Sequence, residues 1–384
     1  MLASCRPEGA GEAAPMSKAS TTTAGTAPSS TAPSSTAPSS TAPSSTAPSS
    51  TAPSSTEPSS TAPSSTTSPG AGPDVAPGGS TGASPALLNP SARGWPDATN
   101  TGVRAGARLQ VVLGSLDVRD AHIALDDAVQ ATRPASGSTV WGPVTLHPDR
   151  TVIDGADIRG RLQQSSALPV HVDRSKVTAP DQLTNAIYPV DTRDAGAVDG
   201  GKAMTYLTNC TIHAGLGDAA AAGGWVSFER CDISGGEDTI QLGYATTIVD
   251  SYLHDLERRE GSHNDIFQMG GGIGAVVRHC TLLAARRKPD GQGVEFLDGW
   301  YDPMNAVLMI GNFAGAVGDV VIEDSLLDGG NYTINDNWST THPVNNLVVR
   351  RCRFGQHFRY GPRDLEGPAW TWENNVWDDT GESM

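Results

Sequence analysis

The sequence predicts an all-β protein, a parallel β-helix solenoid preceded by a disordered stalk rich in Ser, Thr and Pro. Residues 1–86 are nearly all Ala, Gly, Pro, Ser and Thr, and such a segment has too few apolar side chains to build a core. The remaining chain repeats short apolar segments every 20 to 30 residues or so, with no helical period. The solenoid is therefore assigned to residues 87–384.

The linker, residues 26–86, contains the pentapeptide TAPSS eight times between residues 26 and 65, once as TEPSS. Regularly spaced prolines favour an extended conformation that rises by roughly 3.1 Å per residue. Such a segment is expected to hold the solenoid away from a surface, as a stalk. A plain linker between domains is the alternative.

The N-terminal tail, residues 1–25, opens with MLASC. Its residues Leu2 to Cys5 resemble the lipobox of bacterial lipoproteins, which implies lipidation of Cys5 and a membrane tether. The basic and apolar regions that precede a lipobox are absent, so this interpretation places the true start upstream of Met1. A chance tetrapeptide is the alternative.

The charge of the chain excludes some partners. The net charge is −16, and after residue 86 the chain has 38 acidic against 24 basic residues. An acidic surface argues against nucleic acid or an anionic membrane as the main partner. No run of 18 apolar residues exists, so no segment is predicted to span a bilayer.

Seven segments of the solenoid share one pattern: a short strand, a polar pair, a small residue and a second short strand. They are YLTNCTI (206–212), SFERCDI (227–233), TIVDSYL (247–253), VVRHCTL (276–282), VIEDSLL (321–327), VVRRCRF (348–354) and TWENNVW (371–377). Equivalent positions of stacked coils lie about 4.8 Å apart. We therefore predict one interior column of Cys210, Cys231, Ser251 and Cys280, with free thiols. The 45-residue interval that follows Cys280 predicts two coils.

A second repeated element occurs at 235–242, 262–269, 304–309 and 330–335. Its alignment predicts a buried stack and an outward pair in neighbouring coils. The stack is Ile240, Phe267, Leu308 and Ile334, and the pair is Gln241 and Gln268.

With these repeats the chain resembles the right-handed parallel β-helix proteins of the pectate-lyase-like superfamily, of the bacterial secreted type. The matching pieces are GWPDATNTGVRAG (94–106), TVIDGADIRG (151–160), GGEDTIQLG (235–243), SYLHDL (251–256), SHNDIFQ (262–268), VVRHCTL (276–282) and GGNYTIND (329–336). The resemblance implies the fold from about Gly94 onward. It does not select an activity, because the superfamily includes lyases, hydrolases, epimerases, esterases and proteins without a known reaction.

The stretch HDLERREGSHNDIFQMGGG contains two of the nine histidines. Lyases and epimerases of uronic-acid polymers need a base, a proton donor and a group that neutralises the sugar carboxylate. His263 is predicted to be the base and His254 the second proton-transfer group, since histidine serves either role near neutral pH. The alternative is structural: His254 with Asp255 would cap a turn.

Three further residues of this stretch complete the predicted site. Asp265 shares strand parity with Phe267, so it is expected to point inward and to orient His263 or satisfy buried backbone. Asn264 and Gln268 are predicted to hydrogen-bond sugar. The sequence SHND faintly resembles the Asp-Pro-His-Asp motif of mannuronan epimerases but lacks its first Asp and its Pro.

An insertion after residue 285 adds charge and aromatic rings. Arg286 and Arg287 are predicted to hold the carboxylates of a polyuronate, and Trp300 and Tyr301 to stack on sugar rings. A solvated basic loop is the alternative. The resemblance implies calcium as a candidate cofactor, but no acidic run has EF-hand spacing, so no metal ligand is assigned.

These observations predict a secreted or cell-envelope monomer that acts on an acidic polysaccharide and does not bind nucleic acid. The enzyme form of the hypothesis is a uronate polysaccharide lyase or carbon-5 epimerase. The alternative is a non-catalytic glycan-binding or adhesin-type module that uses the same face.

Overall fold

The computed structural model describes residues 90–125, 130–179, 188–198, 201–215, 219–257, 262–287, 294–295, 304–336, 342–365 and 370–384. In these residues the chain winds into a solenoid whose coils each contribute one strand to sheet C, then one to sheet A, then one to sheet B. Strands of successive coils pair in parallel. The prediction of an all-β parallel β-helix is confirmed. The predicted tail with Cys5 and the predicted stalk lie outside the described residues.

The described strands of the three sheets follow in spatial order. Sheet A has Gln110–Leu113, Ala156–Arg159, Lys176–Thr178, Thr211–His213, Asp232–Ser234, Tyr252–His254, Thr281–Ala284, Leu326–Gly329, Arg353–Phe354 and Val376–Trp377. Sheet B has Ala131–Thr132, His122–Leu125, Leu116–Val118, Leu162–Gln164, Val190–Asp191, Ala219–Ala222, Asp238–Gln241, Asp265–Met269, Ala306–Ile310, Tyr332–Asn335 and Gly361–Asp364. Sheet C has Thr139–Trp141, Val144–Leu146, Thr151–Asp154, Val170–Asp173, Thr205–Thr208, Val226–Glu229, Thr247–Val249, Val276–Arg278, Val317–Glu323, Val344–Arg350 and Trp370–Glu373, and Gly272–Ile273 pairs with Val317–Glu323.

Smaller elements complete the described chain. They are a 3₁₀ helix, Pro90–Arg93, and two hairpins, Ala197–Val198 with Gly201–Lys202 and Arg286–Arg287 with Val294–Glu295. At the N-terminal end of the solenoid, residues 116–132 and 139–154 form antiparallel meanders on sheets B and C. These meanders cover sheet edges that would otherwise offer unpaired backbone groups.

The column of small residues faces the interior, as predicted. Cys210, Cys231, Ser251 and Cys280 are each 0% exposed, and the cysteines are free thiols. The N–H of Cys231 donates to Ser251 Oγ at 3.0 Å, and the N–H of Cys280 donates to Ser325 Oγ at 3.1 Å. This last bond shows that the prediction of two coils for the 45-residue interval is wrong. The flanking strands pair directly, so the extra residues form an insertion between sheets A and B within one coil.

The second predicted stack is also confirmed. Ile240, Phe267, Leu308 and Ile334 are register partners in successive coils of sheet B, and all four are buried. Because side chains alternate between the two faces of a strand, this register sets which residues face outward.

At the corner between sheets C and A, one residue has a positive φ in successive coils; it is Gly155 in the first of them and a non-glycine residue in the eight that follow. These residues include Arg174, Asn209, Arg230, Asp250, His279, Asp324, Arg351 and Asn374. Their side chains connect neighbouring coils: His279 Nδ1 lies 2.6 Å from Asp250 Oδ1, and Arg230 Nε donates to Asn209 Oδ1 at 3.0 Å. His279 therefore belongs to a polar ladder that holds the turns together.

Residues 90–109, which we call the strap, lie along this same corner. The guanidinium of Arg93 donates two hydrogen bonds, at 3.0 and 2.9 Å, to the carboxylate of Asp378 in the last coil. Farther along, the N–H of Gly102 donates to the carbonyl of Arg230 at 2.9 Å. The strap thus runs from the C-terminal coil back towards the first strand of sheet A.

Candidate functional site

The residues of the predicted site lie at the corner where strands of sheet A end and strands of sheet B begin. Ser234 and His254 are register partners at the ends of sheet A strands, and Asp238 and Asp265 begin consecutive strands of sheet B. Outward-facing positions near this corner are buried rather than exposed. They are Ile266, Leu283, Val307 and Thr333. The outer surface of the corner is therefore covered by other parts of the chain.

His254 is buried in this corner, and both of its ring nitrogens have carboxylate partners. Nε2 lies 2.8 Å from Asp232 Oδ1, and Nδ1 lies 3.1 Å from Asp255 Oδ2. The imidazole also stacks on Tyr252, with ring centroids 3.8 Å apart. Burial alone lowers the pKa of His254, but hydrogen bonds to Asp232 and Asp255 outweigh it and raise the pKa to about 9.

The assignment of His254 as a second proton-transfer group stays a prediction, and these contacts argue against it. At neutral pH its imidazole is protonated, and both nitrogens are engaged. With 5% of the residue exposed, it is also closed to a polymer. The sequence placed this histidine at the mouth of a loop, but other parts of the chain cover it.

His263 is exposed, in contrast to His254. All nine histidines lie in the described residues, and His263 is the one whose surface is largely open to solvent. Its backbone N–H donates to Glu237 Oε1 at 3.0 Å. This hydrogen bond joins the segment that contains His263 to the preceding coil. Within the described part of the chain its imidazole makes no hydrogen bond. His263 is placed for contact with a ligand, and its catalytic role remains a prediction.

Asp265 points inward, as predicted, and is completely buried. Its Oδ1 accepts from Asn305 Nδ2 at 3.0 Å, and its N–H donates to Asp238 Oδ1 at 3.2 Å. Oδ2 has no hydrogen-bond partner among the described residues. Burial, the adjacent Asp238 carboxylate and then Glu237 raise the pKa of Asp265 well above its ordinary value.

The catalytic assignment of Asp265 also stays a prediction, and the surroundings of the side chain argue against it. No hydrogen bond joins Asp265 to His263 within the described residues, so the carboxyl group does not orient that imidazole. A fully buried side chain does not reach a polysaccharide either. Asp265 instead links three consecutive coils, because its backbone N–H donates to Asp238 on one side and its carboxyl group accepts from Asn305 on the other.

Asn264 does not contact solvent, which argues against its predicted role as a sugar ligand. Its Nδ2 donates to the carbonyls of Glu237 and Glu257, both at 2.9 Å, and its Oδ1 accepts from the hydroxyl of Ser262 at 2.8 Å. The residue is 0% exposed. Its role is to fasten the corner connection to the previous coil.

Gln268 is a register partner of Gln241, as predicted, and both side chains are half-exposed on the outer face of sheet B. Gln241 Oε1 accepts from the hydroxyl of Tyr188 at 3.2 Å. The amide of Gln268 makes no hydrogen bond to the described residues, so it remains open to a ligand.

The basic residues of the insertion lie at the same corner. Arg286–Arg287 pairs with Val294–Glu295 in an antiparallel hairpin that begins beside Leu256, whose N–H donates to the carbonyl of Ala285 at 3.0 Å. Arg286 is half-buried. The predicted stacking residues Trp300 and Tyr301 lie outside the described residues.

Sequence reasoning did not identify an aromatic pair at this corner. Tyr332 and Tyr360 belong to consecutive coils, and their ring centroids are 5.4 Å apart. The guanidinium of Arg359 lies over the Tyr360 ring at 5.0 Å. The available signal was that Tyr332 begins a sheet B strand, at the position that Asp265 occupies two strands away, and that Tyr360 directly precedes the next strand.

The fold and this corner define a parallel β-helix with a polar outer face on sheet B. Neither a protein-family model, nor a curated protein, nor a solved structure matches the chain. In the described residues no group of three or more His, Cys, Asp or Glu side chains is arranged to hold a metal ion. No helix in this part of the chain is long and apolar enough to cross a membrane.

Proposed function

We propose that this chain is a pectate-lyase-like β-helix protein of the cell envelope or extracellular space, and that it binds an acidic polysaccharide along the outer face of sheet B. The observation that carries the proposal is a row of half-exposed polar side chains on that face. The row contains two pairs of register partners in adjacent coils, Gln241 with Gln268 and Asn335 with Asp364, with Met309 between the pairs and Gln163 three strands before Gln241. Adjacent coils repeat at about 4.8 Å, so each pair offers hydrogen-bonding groups at a spacing close to that of sugars in an extended chain.

The acidic class of polysaccharide is supported by guanidinium groups along the same side. Arg193 follows the sheet B strand Val190–Asp191 and donates to the carboxylate of Asp191, and Arg286 lies in the hairpin at the A–B corner. Guanidinium groups bind carboxylates through paired hydrogen bonds and retain their charge at all physiological pH values. We expect them to offset part of the repulsion between a polyuronate and an acidic protein.

A second candidate function, uronate lyase or carbon-5 epimerase, is favoured by the exposure of His263. Its imidazole would abstract the proton at carbon 5, and Gln268 in the following strand would position the sugar. The second proton-transfer group would be a residue other than His254, because both nitrogens of that ring are engaged. The binding function requires no such group, and for this reason it is proposed first.

The test is to measure binding of the full chain to polyuronates and to neutral glycans by calorimetry. We expect binding to a polyuronate, and Gln241→Ala combined with Gln268→Ala should weaken it by roughly tenfold or more, since each lost hydrogen bond costs about 1 kcal/mol. The control is Gln110→Ala, an exposed glutamine of sheet A. Equal affinity of the double variant, or no binding by the parent chain, would overturn the proposal.

The same panel separates the two candidate functions. A lyase releases an unsaturated product that absorbs in the ultraviolet. An epimerase instead incorporates deuterium at carbon 5 in heavy water, which nuclear magnetic resonance detects. Binding without either signal identifies a glycan-binding module.

A further inference from the structure

We infer that Tyr332 and Tyr360 form a stacking subsite for a sugar ring, at the C-terminal end of the polysaccharide path. This inference rests on the proposed function and specifies where a sugar in the chain would bind. Tyr360 is 51% exposed and is one of the large hydrophobic side chains that are exposed among the described residues. An exposed ring beside a second aromatic ring provides the flat apolar surface that the C–H face of a pyranose requires.

The surroundings hold the two rings in place. The N–H of Tyr360 donates to the carbonyl of Asn331 at 2.8 Å, and the N–H of Arg359 donates to the carbonyl of Gly330 at 3.0 Å. Tyr332 pairs in register with Gly361 in the next coil. The ring of Tyr332 lies beside Gly361, at a distance that would be an ordinary van der Waals contact of 3.5 Å between Tyr332 Cε1 and a Cβ atom there. The rings are thus ordered before a ligand arrives, which lowers the entropy lost on binding.

The chemistry around the rings matches a charged sugar. The guanidinium of Arg359 lies over Tyr360 and places a positive charge beside the stacking surface. A uronic acid residue presents an apolar ring face together with a carboxylate, so it would contact both the tyrosine rings and the guanidinium of Arg359. A neutral hexose would use the rings alone.

Tyr332 and Tyr360 lie at the same corner as His263. The strand that begins at Tyr332 is two strands from Asp265–Met269, and the strand after Tyr360 is three strands from it. At about 4.8 Å per strand, this separation is on the order of 10 to 14 Å. An oligosaccharide must exceed that length to contact both His263 and the tyrosines.

The test measures the affinity of a series of polyuronate oligosaccharides of increasing length. We expect the affinity of the parent chain to rise once the oligosaccharide spans both positions. Tyr360→Ala should remove that rise, a loss of roughly 3- to 10-fold, which is the size of a typical aromatic contact. Tyr360→Phe should retain it, because the ring and not the hydroxyl makes the contact.

Tyr244→Ala is the matched control, since Tyr244 is a comparably exposed tyrosine at the corner between sheets B and C. It should bind every oligosaccharide as the parent does. If Tyr360→Ala retains the rise with length, the stacking subsite is refuted while the proposed function stands. If the parent binds no glycan at all, the proposed function fails and the subsite fails with it.

Discussion

His254 and Asp232 lie in adjacent coils of sheet A, with His254 Nε2 2.8 Å from Asp232 Oδ1. Asp255 engages the other ring nitrogen, so one buried imidazolium joins two carboxylates at the edge of the candidate site. A charged group in this position costs free energy to desolvate and is retained only because its partners stabilise it. Because of this arrangement, the stability of the corner depends on pH.

The pH dependence follows from the raised pKa of His254. Its folded pKa of about 9 exceeds the ordinary 6.5, so its stabilising contribution is complete below about pH 6.5 and is lost as pH rises through 9. The shift corresponds to about 3 kcal/mol. We expect His254→Gln to lower the free energy of unfolding strongly at pH 6 and much less at pH 10, as measured by urea denaturation. A loss of equal size at both pH values would contradict this explanation.

Asp265→Asn should change the free energy of unfolding in the opposite direction, by increasing it. Because burial and Asp238 raise the pKa of Asp265, the folded state resists its ionisation, and stability falls as pH rises above the ordinary value of 3.8. Asparagine keeps an oxygen for Asn305 and removes the charge. We expect the free energy of unfolding at pH 8 to increase by on the order of 1 kcal/mol, since one pKa unit corresponds to 1.36 kcal/mol. A less stable variant at pH 8 would mean that the ionised carboxylate is required.

Ser251→Ala should destabilise the interior ladder, because the N–H of Cys231 would lose its acceptor in the solvent-inaccessible core. A buried unsatisfied donor costs about 1 to 3 kcal/mol. Chemical denaturation measures the change, and Ser227→Ala, at a half-exposed position of sheet C, is the control. Similar stability of both variants would show that the coil-to-coil bond contributes little.

Removal of residues 1–86 should leave the thermal midpoint of the remainder nearly unchanged, because a Ser/Thr/Pro segment has no apolar surface to bury. Removal of residues 1–103 should lower it by several degrees, because the contacts of Arg93 with Asp378 and of Gly102 with Arg230 would be lost. Scanning calorimetry of both variants makes the comparison. A large drop for the shorter deletion would place the stalk in contact with the solenoid.

His263→Ala tests the enzyme form of the hypothesis. If His263 transfers a proton, turnover should fall by roughly 100-fold or more, which is a typical contribution of a positioned acid or base. Stability should be retained, because the imidazole is exposed and makes no described hydrogen bond. Full activity of the variant on a substrate that the parent degrades would end the catalytic assignment.

Much of the fold was predictable because a β-helix repeats its register. A register shift of one residue moves every following side chain to the opposite face of the strand. The alternation of apolar and polar residues around Cys231 and Phe267 was therefore enough to predict the interior columns to which these residues belong. The corner between sheets A and B was less predictable. Its connections differ in length from coil to coil, and the 45-residue interval was assigned to two coils although it belongs to one.

The sequence alone determined the solenoid, its interior columns and the outward pair of Gln241 and Gln268, because these depend on local alternation and on stacking between neighbouring coils. Only the tertiary structure decided which polar residues of the corner reach solvent. His254 and His263 are nine residues apart in one stretch, yet one is buried between carboxylates and the other is exposed. Burial and charge depend on segments distant in sequence, such as the strand of Asp232, and no local pattern encodes their approach.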